Sequence, residues 1–125
     1  MRINDLKKRL EEKLDGGCIC FAVSKKETKC WSIDILKEDK KKGTMKIGMD
    51  VSLSYLRLIS EKEVEILVSM LNRMFEREEK RELLRALEEI SQRYVNDSRE
   101  PTNESEMAQS SRDIRMQQLR RELGL

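Results

Sequence analysis

The chain has 125 residues, and charged side chains make up 40% of it against 38% apolar, so a folded core fits but cannot be large. No window approaches roughly 18 consecutive apolar residues, which excludes a membrane-spanning helix, and three cysteines make no closed disulfide framework. The 26 basic and 24 acidic groups leave a formal net charge of +2, too balanced for a general nucleic-acid binder.

In chain order, Ile3, Leu6, Leu10 and Leu14 recur at helical spacing and predict an amphipathic helix. Gly16-Gly17 stops it, because glycine takes the left-handed cap conformation without a steric penalty. Cys18 to Val23 reads as a strand with a bulky face (Ile19, Phe21, Val23) and a small one (Cys18, Cys20, Ala22). After the polar turn Ser24–Lys29, Trp31, Ile33 and Ile35 alternate with polar residues. The expected hairpin buries Phe21, Trp31 and Ile33 together. The loop Lys37–Gly43 leads to Met45, Ile47, Met49 and Val51, a third antiparallel strand. Residues 52–59 fit an extension of that strand, a fourth strand or a short helical turn.

Ser60 and Glu63 form a capping box ahead of a helical run whose apolar residues are Val64, Leu67, Val68, Leu71, Met74 and Phe75. Residues 76–82 are all charged, and apolar residues return at Leu83, Leu84, Leu87, Ile90 and Tyr94. At 100° per residue the second set is offset from the first by roughly 160°. The segment is therefore either an αα-hairpin or one continuous helix with an apolar stripe needing cover. Residues 96–110 turn polar around Pro101 and read as a flexible linker. Ser110-Ser111-Arg112-Asp113 offers a second capping box, and Ile114, Met116, Leu119 and Leu123 make a short amphipathic helix that orders on a partner or on the domain. The expected architecture is α+β: a compact domain over 1–95, a linker over 96–110 and a C-terminal helix over 111–125. No secretory or lipidation signal is visible at Met1–Leu6 or Gly124-Leu125, so a cytoplasmic location is expected.

Without histidine, serine–histidine and cysteine–histidine nucleophiles and most catalytic zinc sites are closed to this chain. Cys18, Cys20 and Cys30 would make a partial zinc site if they shared one sheet face, with Asp34 as the nearest fourth ligand; inert thiols are the ordinary expectation. Glu38-x-Lys40 looks like the E-x-K of metal-dependent nuclease cores, but it falls in a loop, and no acid stands two residues before Lys46. No cofactor or metal is expected, and no enzyme.

The order helix, three strands, helix resembles that of double-stranded-RNA-binding domains. That family's lysine cluster is replaced here by the acidic Ser60-Glu61-Lys62-Glu63-Val64-Glu65, so the resemblance stops at element order. The opening Ile3-Asn4-Asp5-Leu6, with one helix, three strands and two helices, is similar to small bacteriophage accessory proteins, including compact anti-CRISPR inhibitors. That similarity implies a non-enzymatic inhibitor. It departs from the family's acidic DNA mimicry in its net charge.

The leading expectation is a protein-interaction module that binds a partner, or a second copy of itself, through Leu83, Leu84, Leu87, Ile90, Tyr94, Ile114, Met116, Leu119 and Leu123. The alternative is nucleic-acid binding through phosphate contacts from Lys37, Lys40, Lys41 and Lys42 and from Arg112, Arg115, Arg120 and Arg121.

Overall fold

In the computed structural model, which describes residues 1–39, 43–97 and 99–125, the first apolar stripe forms α1 (Ile3–Lys13). Leu6 and Leu10 are fully buried and Leu14 nearly so. Gly16 and Gly17 follow at φ 77° and 76°, the left-handed region that glycine occupies without strain. Gly16 is also confined, because a Cβ there would lie 3.1 Å from the Lys37 side chain.

Three strands follow: β1 (Ile19–Lys25), β2 (Cys30–Asp39) and β3 (Gly43–Ser52), antiparallel in the order β1-β2-β3. Their inner face carries Cys20, Ile33, Ile35, Met45, Ile47 and Val51, all buried. The expected burial of Phe21 is overturned. The four residues between Lys25 and Cys30 set a register in which Ala22 pairs with Ile33 and Phe21 with Asp34. Side chains alternate faces along a strand, so the small face of β1 lies inward. Ile19, Phe21 and Val23 are 51%, 55% and 64% exposed.

The ambiguous segment is a short helix, α2 (Leu53–Leu58), capped by Ser52 Oγ accepting from the Tyr55 N–H at 3.0 Å. The capping box at Ser60 opens α3 (Glu61–Asn96), with Ser60 Oγ accepting from the Glu63 N–H at 3.3 Å. Val64, Val68, Leu71 and Phe75 are buried with the sheet and α1 in one core. Met74, expected among them, is 45% exposed. The charged run 76–82 is helical throughout, so the continuous helix holds. Its Glu, Lys and Arg are strong helix formers, and no glycine or proline interrupts them.

The chain divides into two compact units, Met1–Phe75 and Glu76–Leu125, so residues expected as one domain over 1–95 belong to both. The second unit pairs the later part of α3 with α4 (Asn103–Leu123). α4 is longer than the expected C-terminal helix: residues 103–110, read as linker, are helical. The cap is Thr102, not Ser110. Thr102 Oγ1 accepts from the Ser105 N–H at 3.1 Å, and Ser105 Oγ accepts from the Thr102 N–H at 2.9 Å. This reciprocal arrangement is what a capping box requires. Leu84, Met116, Leu119 and Leu123 form the unit's core, with Leu83 and Leu87 packed on it. At the far end Gly124 turns left-handed (φ 74°), and Arg77 Nη2 donates to the Leu123 carbonyl at 2.8 Å, satisfying an acceptor the helix itself leaves open.

Candidate interaction surface

The register places four cross-strand rows on the outer face of the sheet: Ile19–Leu36–Lys46, Phe21–Asp34–Gly48, Val23–Ser32–Asp50 and Lys25–Cys30–Ser52. Apart from Leu36, the β2 and β3 part is polar, and its charges are paired, with Lys46 Nζ 3.6 Å from Asp34 and Lys25 Nζ of β1 3.7 Å from Asp50. The β1 part is apolar. Three large side chains, each more than half exposed, line one edge strand. Exposed apolar rows of this kind on a strand edge invite pairing, and proteins ordinarily blunt them.

The edge is partly guarded. The Cys20 N–H donates to Glu11 Oε1 at 3.0 Å, which shows that Cys20 turns its main chain away from β2. Strand alternation then turns the main-chain groups of Ala22 and Ser24 to that same edge.

Of the residues expected to bind a partner, Leu84, Met116, Leu119 and Leu123 are buried against one another, and Leu83 and Leu87 are packed on them. The stripe that called for an external partner is covered by α4. Ile90 and Ile114 remain exposed at 43% and 59%, and Tyr94 is half-buried.

Four of the eight expected phosphate contacts are engaged within the chain. Lys37 belongs to β2 rather than to a loop, and its Nζ lies 5.3 Å from the centroid of the Phe75 ring, a cation–π distance. Arg120 pairs with Glu88 at 3.3 Å, Arg115 with Glu122 at 4.0 Å, and Arg112 donates to Gln109 at 2.9 Å. Arg121 is exposed. Lys40, Lys41 and Lys42 lie outside the described residues.

The three thiols do not converge. Cys18 and Cys20 approach to 3.9 Å. Cys30 pairs with Lys25 on the outer face and contacts Thr28 Oγ1 at 2.9 Å. Burial pushes the Cys20 thiol up to about 12, with the neighbouring Cys18 adding to the shift, and burial raises Cys18 as well. Both stay protonated thiols and poor nucleophiles at neutral pH. Among the described residues no group of three or more His, Cys, Asp or Glu side chains is placed to hold a metal, and no helix is long and apolar enough to cross a membrane.

The chain matches no protein-family model, no curated protein and no solved structure. Its surfaces therefore carry the functional argument. Sequence reasoning missed two apolar surfaces of the first unit, the β1 row and a row on α3 formed by Ile66, Met70 and Met74. The first was legible in the length of the β1–β2 turn, and the second in the four-residue spacing of its members.

Proposed function

We propose that this chain is a non-enzymatic protein-interaction module that takes an extended segment of a partner protein onto the free edge of β1. One observation supports the reading: Ile19, Phe21 and Val23 stand 51–64% exposed on an edge strand. In strand addition, main-chain hydrogen bonds supply affinity and alternate side chains supply selectivity. The occupant this edge suits is a strand with apolar residues at alternate positions and an acidic residue beside the Lys25–Lys26 end. An accessory or inhibitory role follows naturally, because a module of this kind acts by occupying a segment its partner needs elsewhere. The absence of histidine supports a binding role over a catalytic one.

The test is capture of partners on the immobilised chain after nuclease treatment, comparing the native sequence with Phe21→Glu and Ile114→Glu. A protein retained by the native chain and by Ile114→Glu but lost with Phe21→Glu supports the reading. Retention by Phe21→Glu refutes it, provided circular dichroism shows that variant folded.

A further inference from the structure

Outside the face formed by the buried Val64, Val68, Leu71 and Phe75, α3 carries Ile66, Met70 and Met74, four residues apart and 53%, 51% and 45% exposed. Beside them lies a shallow groove of about 350 Å³ lined by Lys62, Glu65, Ile66, Ser69, Met70 and Arg73. We infer that this face is a self-association surface, on which α3 of a second copy lies antiparallel with its two-fold axis near Ser69.

The charges choose both the occupant and the direction. Glu65 and Arg73 flank the apolar row, each four residues from Ser69. Both are exposed, and neither belongs to an ion pair among the described residues, whereas Arg9–Glu61, Arg81–Glu78 and Lys80–Glu122 are paired within the chain. An antiparallel two-fold at Ser69 sets Glu65 of each copy against Arg73 of the other, twice over. In sequence the relation extends a step further, with Lys62 and Glu76 seven residues either side of Ser69. A parallel pairing in register brings like charges level and loses this match. Along the seam Met70, one residue from the axis, meets Met70 of the other copy, and the unbranched methionine side chain adapts to such a contact.

The size of the patch sets the strength. Three half-exposed side chains contribute on the order of 300 Å² of apolar surface per copy, the lower end of the largest patch on an ordinary monomer. A standard stable interface buries roughly 800 Å² per partner. The dimer is therefore expected to be reversible, with a Kd in the micromolar range rather than the nanomolar. This inference is independent of the β1 edge, and the experiment separates the two.

Sedimentation equilibrium of the full chain from about 1 to 300 µM reads the association directly. The native chain is expected to dimerise, and Met70→Glu to abolish the dimer. Glu65→Arg and Arg73→Glu, each alone, set like charges against each other at both contacts and should weaken association about ten-fold or more. Mixed in equal amounts, those two variants restore both opposite-charge contacts and should form a heterodimer near native affinity. A native chain that stays monomeric overturns the inference. So does a dimer that survives Met70→Glu, or two single variants that fail to associate when mixed. A dimer sensitive to Phe21→Glu and indifferent to the α3 charges would belong to the strand edge, and would overturn this inference while leaving the proposed function standing.

Discussion

Replacing Phe21 by alanine should barely destabilise the first unit, whereas replacing Ile33 should cripple it. Burying a phenylalanine side chain completely stabilises a fold by roughly 1.5–3 kcal/mol. Phe21 is 55% exposed, so less than half of that is at stake, and no close-packed shell surrounds it to leave a cavity. The expected cost of Phe21→Ala is about 1 kcal/mol. Ile33 is fully buried among the core residues, and Ile33→Ala should cost about 2–5 kcal/mol, including its cavity. Urea unfolding followed by tryptophan fluorescence measures both, because Trp31 is the chain's only tryptophan and packs against that same core. A loss above about 3 kcal/mol for Phe21→Ala, the range for a core phenylalanine, would mean that Phe21 faces inward and that the register argument is wrong.

Two further predictions follow from other parts of the molecule. Leu119 is fully buried in the small core of the second unit, so Leu119→Ala should cost about 2–5 kcal/mol and speed amide exchange across α4 at least about thirty-fold, while the exposed Ile114→Ala changes it little; protection unchanged in Leu119→Ala would refute that core. The Cys20 thiol is raised from 9.0 to about 12 by burial, so its neutral form is stabilised by folding. That contribution is whole below about pH 9 and is lost as pH rises towards about 12. Between pH 8 and 10 the native chain should therefore lose on the order of 1 kcal/mol more stability than Cys20→Ala, and parallel denaturation curves at the two pH values would contradict it.

Most of the element order was legible in the sequence because helices and strands were each marked by a clean period and firm stops: Gly16-Gly17, Ser60 with Glu63, and the alternation from Trp31 to Ile35 and from Met45 to Val51. The face of β1 was not, and the reason is parity. With a four-residue turn after Lys25, paired positions add to an odd number, so every odd residue of β1 stands beside an even residue of β2. Once Ile33 and Ile35 are inward, Phe21 must be outward. Bulk misled because α1 lies close to β1: the Cys18 thiol donates to the Leu10 carbonyl at 3.6 Å, and Leu6, Leu10 and Leu14 share one core with Cys20. The displaced stripe at Leu83, Leu84 and Leu87 was real, but its cover came from within. Residues 103–110 looked too polar for a helix because only one face of α4 is buried and because its cap, Thr102 with Ser105, lacks the usual acidic third residue. The candidate surfaces were the least legible part, since an exposed apolar row and a core row have the same spacing and differ only in what stands opposite.

The bond from Glu11 to Cys20 gives the β1 edge a direction and a length. A strand added there as proposed would meet main chain at Ser24 and Ala22 and a carboxylate already seated on the Cys20 N–H, so it would run from the hairpin turn and halt short of α1. Little more than about four main-chain hydrogen bonds fit in that stretch, each worth roughly 1 kcal/mol net. A contact so brief cannot hold a partner by its backbone alone. In the proposed complex recognition would therefore fall to the side chains, and the visiting strand would be readily exchanged.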